Sequence, residues 1–186
     1  MSNILVFNGS PRKNGDTAKL LSSLLDQLKG QEIHVVETYR AKISPCVDCR
    51  CCWEKPVCAI SDDMQQVYQW IQEADWIILA SPVHFDEVSG SLLQVMSRLQ
   101  LYWMARQKRG EELLPEKIRR GAVLLAAGGP GKAQAAQDMT KRLLHCMGAS
   151  DVCIIHCKNT DRIAVEDNAA VLRQLKELAE RINYTI

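Results

Sequence analysis

The stretch that most constrains this chain is the loop Asn8-Gly9-Ser10-Pro11-Arg12-Lys13-Asn14-Gly15-Asp16-Thr17. Apolar Ile4-Leu5-Val6-Phe7 precedes it, and Leu20, Leu21, Leu24, Leu25 and Leu28 recur behind it at helical spacing. That order predicts a strand, a tight turn and a helix over about 18–29. A strand aims such a loop at the carboxyl edge of its sheet. The helix that follows points unpaired N–H groups and the positive end of its dipole into the same space. Ser10 and Thr17 add hydroxyl donors, Asn14 an amide and Arg12 a planar charged fork, all suited to phosphate oxygens. As an ordinary turn, the same segment would use Asp16 to cap the helix and Gly15 to relieve strain.

What the loop lacks narrows the phosphate. A triphosphate loop needs G-x-x-x-x-G-K-[ST]. Here Gly9 and Gly15 are one residue too far apart, and Asp16 stands where the lysine belongs. The dinucleotide pattern G-x-G-x-x-G is also absent. A hydroxyl-rich loop with one arginine suits a monophosphate, such as that of FMN.

Downstream, Glu32-Ile33-His34-Val35-Val36-Glu37 reads as a second strand, and Ser61-Asp62-Asp63-Met64 opens a helix to about Glu73. Trp76 to Ala80 is wholly apolar, the mark of a strand covered on both faces. A long helix is expected from Gly90 to about Gln107, a fourth strand over Ala122–Ala126 and a helix to about Met147. A fifth strand follows over Val152–His156. The last helix, from Glu166 to about Ile182, would bury Ala170, Leu172, Leu175, Leu178, Ala179 and Ile182. Strands alternating with helices specify an α/β fold, with a parallel sheet and helices on both faces. At 186 residues the chain suits one domain spanning 1–186, with a cysteine-rich connection at 39–60. A net charge of +1 gives no electrostatic ground for nucleic acid or an anionic membrane. No apolar run approaches the ~20 residues of a membrane span. The first strand begins almost at once, with no signal peptide before it, so a cytoplasmic protein is expected.

Two more loops fall at the same predicted sheet edge. Ser81-Pro82-Val83-His84-Phe85 follows the third strand; Pro82 pre-sets its turn. Backbone N–H groups at Val83, His84 and Phe85 can meet the polar edge of a flat ring, while His84 and Phe85 supply flat faces. Gly128 and Gly129 follow the fourth strand, where glycines allow a ligand close to the backbone or simply turn the chain.

Five of the eight cysteines lie between Cys46 and Cys58. The others, Cys146, Cys153 and Cys157, sit in or beside apolar stretches and read as buried small residues. Cys46-x2-Cys49-x2-Cys52-x5-Cys58 puts four thiols on one short connection and leaves Cys51 spare. Structural zinc usually draws its ligands from two separated segments. Compact C-x2-C-x2-C runs match cubane iron–sulfur ligation. A metal-free loop and a redox-active dithiol at Cys49 and Cys52 are the other readings.

Three of these segments carry a family resemblance. Gly9 to Thr17 resembles the first loop of NAD(P)H-dependent FMN reductases and iron-sulfur flavoproteins, with Asp16 where asparagine is common. Ser81 to Phe85 resembles the Ser-Pro-Val-Tyr-Phe stretch of flavin reductases, with His84 replacing the tyrosine. The cysteine spacing resembles the compact motif of iron-sulfur flavoproteins at all four positions. The resemblance implies a flavodoxin-like three-layer sandwich of strand order 2-1-3-4-5, with its ligand at the switch between the first and third strands. It implies FMN held at its phosphate by Ser10, Arg12, Asn14 and Thr17. Pro82, Val83, His84, Phe85, Gly128 and Gly129 would frame the ring, and a [4Fe-4S] cluster would sit on Cys46, Cys49, Cys52 and Cys58. Electrons would pass between NAD(P)H or a reduced protein carrier and an acceptor. No acid–base residue is required, because hydride transfer to a flavin needs mainly proximity and orientation. A homo-oligomer, dimer or tetramer, is implied as well. A cluster-free NAD(P)H:FMN or quinone reductase, and a non-enzymatic flavin electron carrier or redox sensor, share most of these features.

Overall fold

The computed structural model describes residues 2–184. Five strands, β1 (Asn3–Asn8), β2 (Glu32–Glu37), β3 (Trp76–Pro82), β4 (Arg119–Ala126) and β5 (Ala149–Cys157), form one sheet. All pairings are parallel, and the order is β2-β1-β3-β4-β5. The flavodoxin-like architecture is therefore present as expected. The helices are α1 (Asp16–Leu25), α2 (Cys51–Glu54), α3 (Met64–Glu73), α4 (Gly90–Met96), α5 (Gln100–Met104), α6 (Gln134–Cys146) and α7 (Ala169–Asn183).

The two-residue period of the strands splits the core in two. Leu5, Phe7, Ile77, Leu79, Val123 and Leu125 face a core shared with α3, α4, α5 and α6. Ile4, Val6, Ile78, Ala80, Ala122 and Leu124 face the opposite core, filled by α1 and α7. Because β3 lies in the middle, its residues Trp76 to Ala80 are all buried, which is why that strand reads as an unbroken apolar run.

Three elements differ from the sequence expectation. The last helix starts at Ala169 with Asn168 as its cap, whose side chain accepts from Val171 N–H at 3.2 Å. Val171, not Ala170, enters the core, because it lies at helical spacing from Leu175, Leu178 and Ile182. The long helix after Gly90 is not uniform. It passes from α4 through a 3₁₀ turn (Ser97–Leu99) into α5 and then a π turn (Ala105–Arg109), stopped by Gly110 at φ 63°. The short helix α2, inside the cysteine run, has no periodic signal in four residues and was not expected. The connection leaving β2 is laid along α4 by polar ties. Thr38 Oγ1 meets Ser91 Oγ at 2.7 Å, Gln94 Nε2 donates to Ile43 O at 2.7 Å, and Cys46 N–H donates to Ser97 Oγ at 2.9 Å.

The chain leaves β1 at the switch point through Gly9, whose N–H donates to Ala80 O at 2.7 Å. A Cβ there would lie 2.8 Å from Ser89 Oγ and 3.1 Å from Ala80 O, so only glycine allows this approach. Ser89 is itself fixed, its N–H donating to Ser81 Oγ at 2.9 Å and its Oγ capping α4 through Leu92 N–H. Gly9→Ala should therefore destabilise the protein by roughly 1–3 kcal/mol through overpacking. Gly129→Ala, with nothing within 4 Å of the added methyl, should stay within about 0.5 kcal/mol of wild type. Urea unfolding of the two variants side by side checks the contrast.

Candidate functional site

Four βα loops converge at the carboxyl edge of the sheet on a cleft of about 140 Å³. Ser10, Arg12, Asp16 and Thr17 come from the first loop and α1, while Pro82, Val83 and His84 follow β3. Ala126 and Gly128 come from the end of β4 and its loop, and Thr160 and Asp161 follow β5. The structure thus brings together seven of the ten residues expected around the flavin, counting Ser10, Arg12, Thr17, Pro82, Val83, His84 and Gly128. Asn14, Phe85 and Gly129 do not line it. Asn14 and Phe85 point into solvent instead.

The first loop is built from within. Ser10, only 4% exposed, receives its shape from a bond between its N–H and Asn8 Oδ1 at 3.0 Å. Its hydroxyl donates to Arg12 O at 3.1 Å. Gly15 is the N-cap of α1 at φ −81° and ψ 169°, an ordinary extended conformation with no strain to relieve. A Cβ there would lie 3.1 Å from Arg12 Nε, a tight contact with a side chain that is itself mostly exposed. No side chain caps α1, so the helix start keeps its N–H groups for the cleft. Asp16 does not cap it either. Its carboxylate accepts from Thr160 Oγ1 at 3.0 Å and lies 4.0 Å from Arg12 Nη2. A hydroxyl from the far side of the cleft therefore holds the Asp16 carboxylate, while the Asp161 carboxylate lies close to Gly128 on the same cleft.

The loop after β3 corrects a second expectation. Val83 N–H donates to Ala126 O at 2.8 Å, and His84 N–H donates to Glu87 O at 2.8 Å. Glu87 N–H returns a bond to His84 O at 3.0 Å, closing a tight turn with Phe85 and Asp86 both at positive φ. The Val83 and His84 N–H groups are thus committed inside the loop and not offered to a ring. What remains on the cleft wall is the Pro82, Val83 and His84 surface. Phe85, at the turn tip, is fully exposed.

Thr160 and Asp161 carry no motif and were not anticipated. Their loop folds onto the glycine loop, with Asn159, Thr160 and Asp161 N–H donating to Gly129, Ala127 and Gly128 carbonyls at 3.0, 3.1 and 3.2 Å. A Cβ at Gly128 would collide with the Asp161 carboxylate. Gly128 is thus where the β5 loop approaches closely, and Gly129 serves through its carbonyl. The signal was the polar run after the fifth strand, at the same sheet edge as the other loops.

A second cavity lies in the cysteine connection. Cys46, Cys49, Cys52 and Cys58 all line it, with Trp53, Arg98 and Met104, whereas Cys51 does not. Among the described residues, no group of three or more His, Cys, Asp or Glu is arranged to hold a single metal ion. Asp48 and Arg50 adopt left-handed backbone at φ 50° and 63°, a local cost that the surrounding contacts must hold in place. Arg50 and Lys108 sandwich the Trp53 ring at 4.8 and 4.6 Å, and Arg109 donates to Cys52 O. Burial, and then the neighbouring sulfurs of Cys46, Cys58 and Cys49, push the Cys52 thiol up. Gathered thiols oppose each other's ionisation until a cation compensates them. Of the three outlying cysteines, Cys157 is buried and Cys146 and Cys153 are half-buried, and burial raises all three thiols.

A parallel sheet with an anion-suited cleft at its switch point is the plan of a flavin-dependent oxidoreductase of flavodoxin-like fold. The chain belongs to the NADPH-dependent FMN reductase family, whose model matches residues 2–154. An iron-sulfur flavoprotein of Methanocaldococcus jannaschii is 32% identical over 147 residues, covering 76% of this chain and 69% of that protein. An iron-sulfur flavoprotein of Archaeoglobus fulgidus is 30% identical over 194 residues, covering 95% of each. Among solved structures, an NAD(P)H:quinone oxidoreductase from Methanothermobacter marburgensis superposes with a TM-score of 0.72 at 15% identity, covering 98% of this chain and 96% of that one. An FMN-dependent NADH-azoreductase from Bacillus anthracis, in complex with FMN, gives 0.66 at 15% identity over 98% of this chain and 100% of that one. At such identities the likeness is one of fold.

Arg12 is mostly exposed and only loosely paired with Asp16, so it is free to turn toward a phosphate. Hydrogen bonds to charged groups contribute roughly 1.5–3 kcal/mol, so Arg12→Ala should weaken FMN binding by about ten- to a hundredfold. Riboflavin, which lacks the phosphate, should bind almost equally to both proteins. Fluorescence titration with the two ligands checks this, and equal losses for both would assign Arg12 another role.

Proposed function

We propose that this protein is an FMN-dependent NAD(P)H oxidoreductase of the iron-sulfur flavoprotein kind, acting as one domain over 1–186. FMN would occupy the cleft and a [4Fe-4S] cluster the cysteine cavity. The observation that carries the finer reading is that Cys46, Cys49, Cys52 and Cys58 line one cavity while Cys51, adjacent in sequence, stays outside it. Four thiols on one short connection around a shared space fit the compact cubane spacing better than the separated segments usual for zinc. The names of the iron-sulfur flavoprotein relatives support the same reading.

In the cleft, Ser10, Thr17 and the open start of α1 would hold the phosphate, with Arg12 adding charge. Thr160 keeps Asp16 occupied. Pro82, Val83, His84 and Gly128 would flank the ring, while Asn14, Phe85 and Gly129 lie outside this arrangement. FMN supplies the redox chemistry when bound, exchanging two electrons with a nicotinamide or one at a time with a single-electron partner. The protein's own contribution is position and exclusion: four loops fixed to one another by backbone bonds. No helix among the described residues is long and apolar enough to cross a membrane.

Flavin released by heat should have the mass of FMN, and FAD in its place would count against the cleft assignment. Protein purified and reconstituted without oxygen should be brown and contain about four irons per chain. Cys52→Ser should lose most of that iron and keep FMN, since the flavin uses other loops. Cys51→Ser should change neither. Zinc in place of iron, or no iron after reconstitution, would sink the cluster and leave the FMN reductase.

A further inference from the structure

Arg98 has almost no exposed surface, and its guanidinium reaches both flanks of the cysteine connection. It stands on the 3₁₀ turn between α4 and α5. Nη1 donates to Ser44 O at 3.0 Å and to Asp62 Oδ2 at 2.7 Å. Nη2 donates to Ile60 O at 3.1 Å and to Cys58 Sγ at 3.3 Å. Ser44 lies before Cys46, and Ile60 and Asp62 lie after Cys58. One planar cation therefore ties the two ends of the connection together from inside the fold. Arg98 Nε is buried without a hydrogen-bond partner. The turn that carries it is anchored from behind, where the Tyr68 hydroxyl donates to Arg98 O at 2.9 Å.

A buried charge is costly unless paired, and lysine, without the planar fork, could not match the four contacts made by Nη1 and Nη2. The fork does something further by placing positive charge and an N–H directly on one of the four sulfurs. Its counter-charge is Asp62, which also accepts from Ser44 N–H at 2.9 Å and Met64 N–H at 3.0 Å. The sulfur, the cation and the carboxylate thus form a chain leading away from the cysteine cavity.

We propose that Arg98 is the positioning residue of the cysteine site, closing its loop and setting the reduction potential of the group bound there through Cys58, with Asp62 as counterweight. This rests on the cluster reading above. Reduction adds negative charge, and a hydrogen bond or a cation at a ligating sulfur stabilises that form and raises the potential. A nearby carboxylate does the reverse. Removing either partner should then move the potential in opposite directions.

The experiment is an anaerobic redox titration of reconstituted protein, followed by electron paramagnetic resonance, for wild type, Arg98→Met, Arg98→Lys and Asp62→Asn. Arg98→Met should favour the oxidised form by about tenfold, a shift of ~59 mV to lower potential for a one-electron couple. Arg98→Lys keeps the charge and loses the fork, and should fall between. Asp62→Asn should shift the potential upward. Simple loosening of the loop admits water in every variant and moves all of them the same way, so opposed signs are the result expected here alone. If Arg98→Met fails to hold iron, the signs of Arg98→Lys and Asp62→Asn still decide. Iron-loaded Arg98→Lys and Asp62→Asn with unmoved or like-signed potentials would overturn the role of Arg98 while the cluster stands. Wild-type protein that takes up no iron would overturn the cluster itself and the tuning with it.

Discussion

The bond from Gly9 N–H to Ala80 O, 2.7 Å long, is the point on which the rest of the molecule hangs. It closes the gap where β1 and β3, adjacent in the sheet, send their chains to opposite sides. Gly9 then lies against Ser89, and Ser89 starts α4. Eight and nine residues beyond Ser89, on the 3₁₀ turn that follows α4, come Ser97 and Arg98, which hold the cysteine connection through Cys46 N–H and Cys58 Sγ. α4 and the 3₁₀ turn after it therefore connect the switch point to the cysteine connection.

The strands were legible because burial on both faces leaves apolar runs that little else explains. Trp76 to Ala80 is the clearest, and its bounds in the structure extend only two residues beyond the apolar run. Strand order was not legible from pattern, since nothing in β1 says whether β2 or β3 lies beside it; the resemblance supplied that. Element edges failed where a cap fixes them, as at Asn168, and the face of that helix was misjudged at Ala170, where Val171 enters the core. At the cleft, the position of residues was easier to read than the partners of their backbone groups. Val83 and His84 lie on its wall, yet their N–H groups are consumed by Ala126 and Glu87. Backbone partners chosen across loops leave no mark in a single sequence.

Asp16 shows the same limit from the other side. As a bare letter in a phosphate loop it looks wrong, and its tolerance depends on Thr160, far away in the chain, donating at 3.0 Å. The carboxylate is thereby drawn toward the β5 loop while Arg12 stays within 4.0 Å of it. The cleft is less positive than its arginine suggests. Beside that charge it presents oriented dipoles, from the α1 start and the hydroxyls of Ser10 and Thr17.

The π turn at Ala105–Arg109 accommodates one more residue than an α-helical turn would. Taking that residue out would rotate everything beyond it by about 100°, carrying Lys108 off the Trp53 ring and Arg109 off the Cys52 carbonyl. The length of this helix and the length of the cysteine loop are thus locked together. A graft of the cysteine loop into another scaffold would therefore have to carry the Ala105–Arg109 turn with it to keep these two contacts.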